Sequence, residues 1–300
     1  MSERRIDPFT GRSVLVAPSR RGIGGARPAG LPQPSGRCPF CPGHEADTEE
    51  TLARWPDAGA WKVRVVHNKF PLVSAQDGLG AHEVVIETPT HDADLADLAV
   101  DHLEGWLRVL RDRATALARR EGIEAVTIYR NRGLRAGSSQ PHPHTQILAA
   151  RWVSATLADR WARLREEPIY EAELARELAG PRLIAADDHL LACCPFASTR
   201  AYESRFMPRA PRGGFDCATD AELASLSRML HRVLLALRDE VGVYDHNLIV
   251  RQPPVRATGP RLAWYVELLP RTGGDAGFEL ATEDRVLVVD PEDAANVLRG

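Results

Sequence analysis

Ser139-Gln140-Pro141-His142-Pro143-His144-Thr145-Gln146 follows the β-rich run Ala125-Val126-Thr127-Ile128-Tyr129. In a strand, residues i, i+2 and i+4 share one face. His142, His144 and Gln146 are therefore expected to point into the same space, with Pro143 stiffening the backbone between them. A neutral imidazole nitrogen can attack phosphorus near pH 7. The alternative is two histidines on an edge strand with no chemistry. The prolines place the segment at an edge or a strand end rather than in a central position.

Working outward, Lys62 to Val66 reads as a strand and Asn68-Lys69-Phe70-Pro71 as its turn. His82-Glu83-Val84-Val85-Ile86-Glu87 is another strand, ended by Pro89. From Leu95 to Glu121 the apolar residues recur at helical spacing, including Leu103, Trp106, Leu107, Leu110 and Leu117. The pattern then repeats. Leu190 to Cys193 is strand-like, Pro195-Phe196 echoes Phe70-Pro71, and Glu203 to Pro208 echoes the strand that ends at Pro89. Leu223 to Val241 is a second amphipathic helix, followed by the strand Asn247-Leu248-Ile249-Val250. The offset is about 120 residues, the size of one domain. Two copies of one strand-helix-strand unit are expected. Aligning their last strands sets Trp264, Val266 and Leu268 opposite His142, His144 and Gln146, so the second copy lacks the chemistry and supplies packing and ligand walls.

The bulk numbers exclude several classes. The chain has 300 residues, 44% hydrophobic and 26% charged, ordinary for a soluble globular protein of two domains. A net charge of −3 disfavours a general nucleic-acid binder. Arg4, Arg5, Arg12, Arg20 and Arg21 can still form a local anion site. No apolar run reaches the length of a membrane span, and the N-terminus lacks a signal-peptide core, which reads as cytoplasmic with no membrane partner. Five cysteines argue against a disulfide framework. Residues 19 to 37, rich in Gly, Pro, Arg and Ser, form a loop or arm. Cys193, Cys194 and Cys217 read as small buried hydrophobes. Cys38-x-x-Cys41 is half of a tetrahedral zinc site. A redox pair or a plain turn are its rivals, and His44 is a further ligand by proximity.

His-Pro-His-x-Gln after a Gly-Ser-Ser loop resembles the galactose-1-phosphate uridylyltransferase branch of the histidine-triad superfamily, and the resemblance runs from Cys38 to Gly277-Phe278-Glu279. It implies an α+β fold of two tandem histidine-triad repeats, antiparallel sheets or a half-barrel flanked by helices, with the second repeat degenerate. Residues 1–180 would carry the zinc knuckle and catalytic motif, and 181–300 the degenerate repeat. By the same resemblance His144 is the nucleophile toward the α-phosphorus of a nucleoside diphosphate sugar. The covalent nucleotidyl-histidine is then discharged to a second sugar phosphate, a ping-pong exchange. Gln146 would hold a phosphoryl oxygen without charge, with Ser139, Ser138, Gly137 and Asn131 lining the phosphates.

The resemblance places Asn68 and Phe70 at the nucleoside, with Lys69 standing where many members have an acid. Glu279 falls at the sugar, although the basic residue that usually precedes it is replaced by Gly273-Gly274-Asp275-Ala276. Arg271 or Arg135 can supply that charge. It completes the zinc set Cys38, Cys41, His91 and His142 and implies one metal, not two. UDP-glucose and galactose 1-phosphate are the default substrates, in galactose metabolism, and a homodimer is the family habit. Two alternatives stay open. One is a phosphorylase that passes the nucleotide of an ADP-sugar or dinucleoside polyphosphate from His144 to inorganic phosphate. The other is a non-catalytic, zinc-stabilised nucleotide-binding module.

Overall fold

The computed structural model describes residues 3–18, 30–31, 36–274 and 276–300. Arg20, Arg21, Asp275 and most of the 19–37 arm lie outside the described residues.

The fold is α+β. Ten strands form one antiparallel sheet. Five come from the first half: β3 (Thr51–Trp55), β4 (Val63–His67), β5 (Gly80–Ile86), β6 (Ala125–Arg132) and β7 (His144–Ala150). Five come from the second: β8 (Leu183–Ala186), β9 (Leu190–Cys193), β10 (Ser204–Pro208), β11 (His246–Arg251) and β12 (Tyr265–Pro270). The sheet order is β3-β4-β5-β7-β6-β11-β12-β10-β9-β8. The halves meet where β6 pairs antiparallel with β11, from His246 opposite Arg132 to Val250 opposite Ile128.

The helix expected from Leu95 is broken. A 3-10 turn at Leu95–Asp97, capped by Asp94, precedes α1 (Val100–Ala118). The second half has its own long helix, α4 (Asp220–Val241), begun by a Thr219/Glu222 capping box. Both helices bury their apolar stripes in one cluster with Ile128, Ile147, Ala149, Val250, Val266 and Leu268. That face of the sheet is therefore closed across both halves.

The opposite face is divided. Cross-strand partners share a face, and the ladder runs Gln146–Tyr129–Ile249–Glu267 across β7, β6, β11 and β12. The residues of β12 facing the same way as His144 and Gln146 are thus Tyr265, Glu267 and Leu269. Trp264, Val266 and Leu268, expected there, point into the helix-side core. The expectation was one residue out of register, and one residue inverts every side chain of a strand.

In the second half this face is packed shut. It is covered by α2 (Ala155–Glu166), α3 (Ile169–Leu178) and Phe9, which join Leu191, Cys193, Met207 and Tyr265. Phe9 is held between β1 (Glu3–Ile6) and β2 (Ser13–Val16), a hairpin that β13 (Arg285–Leu287) extends on its parallel side. Here Arg205 stacks over the Phe9 ring, 4.5 Å from its centroid. Arg251 and Arg205 pair with Glu267 at 2.7 and 3.4 Å.

Two smaller helices, α5 (Gly277–Thr282) and α6 (Pro291–Arg299), close the chain. Arg5, read from sequence as part of an anion site, is committed to Glu3, Asp290 and Glu292. Cys193 and Cys194 are buried as expected, but Cys217 is exposed, at the end of a 3-10 turn. Among the described residues, no helix is long and apolar enough to cross a membrane.

Candidate active site

β7 is a central strand, between β5 and β6, although prolines precede it. The conflict is resolved by position. Pro141 and Pro143 lie before the strand begins at His144, where a missing N–H costs no ladder bond, and the Pro143 carbonyl accepts from Glu87 N–H at 3.1 Å.

His142 therefore lies outside the strand and does not share the space of His144. Its ring joins Cys38, Cys41 and His91, and the four ligand atoms lie within 4.8 Å of one another. The His142 Nδ1 is 3.6 Å from Cys38 Sγ and 3.7 Å from Cys41 Sγ, and His91 Nδ1 is 3.4 Å from Cys41 Sγ. A tetrahedral ion bound at about 2.3 Å to sulfur and about 2.0 Å to nitrogen requires S–N edges of about 3.6 Å. The set thus fits a tetrahedral metal. The His142 Nε2–H donates to the Thr88 carbonyl at 2.8 Å, which leaves Nδ1 as the ligand. Burial and the neighbouring Cys38 sulfur push the Cys41 thiol up to about 11, so a pair of thiolates here calls for a cation. His44 is not part of the set; its Nδ1 donates to the Cys38 carbonyl at 2.6 Å.

His144 is buried, and burial lowers its pKa, which keeps the ring neutral. Its Nδ1 is 2.9 Å from the His142 carbonyl. A carbonyl only accepts, so Nδ1 carries the proton and Nε2 holds a free lone pair. Phe40, from the Cys38–Cys41 knuckle, packs on both histidines with ring centroids 5.9 Å from His142 and 5.6 Å from His144.

Next to His144, the alternate residue Thr145 points into the helix-side core. Its hydroxyl donates to Glu87 Oε1 at 2.6 Å. Arg130 donates from Nε to Glu87 at 2.9 Å, from Nη2 to Asp94 at 2.8 Å, and from Nη1 to His246 Nε2 at 2.8 Å. This buried network ties β5, β6, β7 and β11 together directly beneath the site.

Gln146 shares the face of His144. Its Oε1 lies 2.9 Å from His82 Nε2 and 3.1 Å from the Tyr129 hydroxyl. Neither His82 nor Tyr129 stood out in the sequence. The available signal was their parity, since both occupy strand positions on the Gln146 face. Asn68 closes the turn after β4: its Oδ1 accepts from Phe70 N–H at 2.9 Å, and its Nδ2 lies 3.3 Å from the His82 ring. The turn leaves Phe70 82% exposed, so it is not a core aromatic.

The residues expected at the phosphates follow β6. Gly133 has φ +84° and Gly137 φ +83°, conformations that suit glycine, and the Ser138 hydroxyl donates to the Gln140 carbonyl at 2.7 Å. Ser139 is exposed on the same loop. Asn131 accepts from Asn247 Nδ2 at 2.8 Å, and Asn247 Oδ1 accepts from Arg271 at 2.7 Å, a polar belt from the first half into the second. Arg135 donates to the Arg271 carbonyl at 2.9 Å. Glu279 is turned onto its own helix start, where it accepts from Ala276 N–H at 2.9 Å.

The arrangement sets an imidazole nitrogen with a free lone pair and an uncharged amide on one face of the sheet, beside a preformed cluster of four side chains that could hold a metal. It suits attack on a phosphoryl centre.

Residues 60–154 match the family model for the N-terminal domain of galactose-1-phosphate uridyl transferase. ADP-glucose phosphorylase of Arabidopsis thaliana is 28% identical over 99% of this chain and 92% of its own length. Galactose-1-phosphate uridylyltransferase of Streptomyces lividans is 30% identical over 69% of this chain and 56% of its own. The structure of the Arabidopsis ADP-glucose phosphorylase with bound ADP-glucose superposes with a TM-score of 0.88 at 27% identity, covering 100% of this chain and 98% of that one.

Proposed function

Because the chain belongs to the galactose-1-phosphate uridylyltransferase family and is an enzyme of nucleotidyl transfer, we propose that it is a nucleoside-diphosphate-sugar phosphorylase acting on an ADP-sugar. One observation carries the choice within the family. The ADP-glucose phosphorylase structure superposes with a TM-score of 0.88, against 0.75 for a uridylyltransferase structure that is covered just as fully.

In this reading His144 Nε2 attacks the α-phosphorus. The bond from that phosphorus to the bridging oxygen breaks, and the sugar 1-phosphate leaves with the electron pair. The proton stays on Nδ1, where the His142 carbonyl stabilises the cationic nucleotidyl-imidazole. An oxygen of inorganic phosphate then attacks the same phosphorus, the N–P bond breaks, and a nucleoside diphosphate departs with His144 neutral again. Gln146 donates to a non-bridging oxygen, with Ser139, Ser138, Asn131 and the Gly137 backbone around the phosphates and Asn68 and Phe70 at the nucleoside. The metal is zinc, in a closed Cys38/Cys41/His91/His142 set that stays out of the reaction and braces the nucleophile's backbone.

The two halves are copies of one unit, with a boundary near residue 180. Matching strand orders support this, β3-β4-β5-β7-β6 against β8-β9-β10-β12-β11, with a long helix after the third strand of each. The second copy's face serves as a seat for α2, α3 and Phe9, which accounts for its lack of histidines.

The second reading is hexose-1-phosphate uridylyltransferase, favoured by the 30% identity to the Streptomyces enzyme. Incubation with α-³²P-labelled ADP-glucose or UDP-glucose, without acceptor, separates the two. The expected result is an acid-labile protein label from ADP-glucose that inorganic phosphate discharges as ADP. A label from UDP-glucose that only galactose 1-phosphate discharges selects the second reading. No label from either donor ends the covalent reading.

A further inference from the structure

We propose that His82 is a positioning residue that locks the Gln146 side-chain amide with its NH₂ group turned toward the phosphoryl oxygens carried on His144. The proposal rests on the covalent reading above. An amide side chain has two ends of opposite character. Turned one way it donates to a phosphoryl oxygen; flipped by 180° it presents a carbonyl to an anion and repels it. Something must choose, and the choice here traces back to a group with no freedom.

The backbone N–H of Leu72 points at His82 Nδ1, 3.1 Å away. A backbone N–H only donates, so Nδ1 is the bare nitrogen and the proton sits on Nε2. That Nε2–H faces Gln146 across 2.9 Å, so the atom facing it is the amide oxygen. The Tyr129 hydroxyl donates to the same oxygen at 3.1 Å. With its oxygen doubly held, the amide directs NH₂ outward on the His144 face. Asn68 lies against the ring, with Nδ2 3.3 Å from both ring nitrogens, while its own Oδ1 is occupied by Phe70 N–H. The turn expected to seat the nucleoside is thereby joined through one imidazole to the residue expected to seat the phosphate. His82 is 4% exposed and two strands' pairing away from the sheet edge at β3, so the ring itself is held inside the sheet while Gln146 stays half-buried.

A double-mutant cycle tests the assignment. The readout is the single-turnover rate of label formation from whichever of α-³²P ADP-glucose or UDP-glucose labels the wild type, alongside melting temperature and metal content. His82→Phe removes both ring nitrogens. His82→Asn is gentler: it can satisfy Leu72 N–H but is too short to reach Gln146. Each is expected to slow labelling about 10- to 100-fold. In a Gln146→Ala background each is expected to cost less than about 3-fold, because there is no amide left to orient. Equal cost in both backgrounds overturns the proposal while leaving the covalent reading intact. A wild type that takes no label overturns both. A His82→Asn protein that melts like wild type and labels at the wild-type rate also overturns the proposal.

Discussion

His144 donates its Nδ1 proton to the backbone carbonyl of His142 across 2.9 Å. The residue whose ring joins the Cys38/Cys41/His91 cluster thus sets the tautomer of the proposed nucleophile, and two residues of backbone connect the two sites.

Replacing His142 with alanine should be felt at both ends of that link. It removes a ligand from a four-ligand set, so metal retention should fall by at least about 10-fold and the thermal midpoint should drop. The His144 carbonyl partner becomes mobile, and labelling slows although the nucleophile is present. Metal analysis and melting curves of the purified variant check this. Unchanged metal content would remove His142 from the ligand set.

His144→Gly leaves the Cys38/Cys41/His91/His142 set and its Thr88 anchor in place. The fold and the melting temperature should stay close to wild type while turnover falls by at least roughly 10³-fold and the covalent label disappears. A variant that is still labelled would move the nucleophile to another residue.

His246 makes acid stability measurable. It is fully buried against Arg130, Arg132 and Asp94, and burial pulls its pKa down to about 3. The unfolded chain takes up the proton first, near pH 6.5. Its contribution to stability is therefore complete above that pH and is lost as pH falls toward 3, at about 1.4 kcal/mol per unit. His246→Gln keeps an acceptor for Arg130 but does not titrate. Urea midpoints at pH 7, 6 and 5 should fall less steeply in this variant than in wild type; equal slopes would contradict the burial of a neutral ring.

Gly133→Ala tests the phosphate loop. Gly133 has φ +84°, and a Cβ there would land inside the Asp245 carboxylate, which accepts from Arg135 N–H at 2.9 Å. The strained backbone alone costs about 1–2 kcal/mol. The thermal midpoint should fall, and labelling should slow more than that loss explains, because the loop carrying Gly137 to Ser139 shifts. Gly137→Ala meets no atom within 4 Å and serves as the control for backbone strain without a clash.

Much of this was legible in the chain. Strand and helix periods located β4 through β7 and β9 through β12, because their packing alternates with the covalent period of the backbone. The Cys38, Cys41, His91 and His142 set followed from a resemblance carried by short motifs, and the structure brings all four together. The elements missed, β1, β2, β3, β8, β13, α2, α3, α5 and α6, are each 12 residues or shorter.

What the sequence determined by itself was which residues could do chemistry: a histidine pair, a glutamine and a thiol pair at fixed spacings. Tertiary structure decided how they divide. His142 lies before the strand, which begins only after Pro143, so one histidine turns to sulfur and the other to the Gln146 face. The parity of β12 is set by hydrogen-bond register across four strands, which residue types alone do not encode. The hold of His82 on Gln146 likewise depends on one backbone N–H at Leu72, ten residues away in sequence and 3.1 Å away in space. Such facts arise from pairing between strands distant in the chain, and pairing exists only once the sheet has formed.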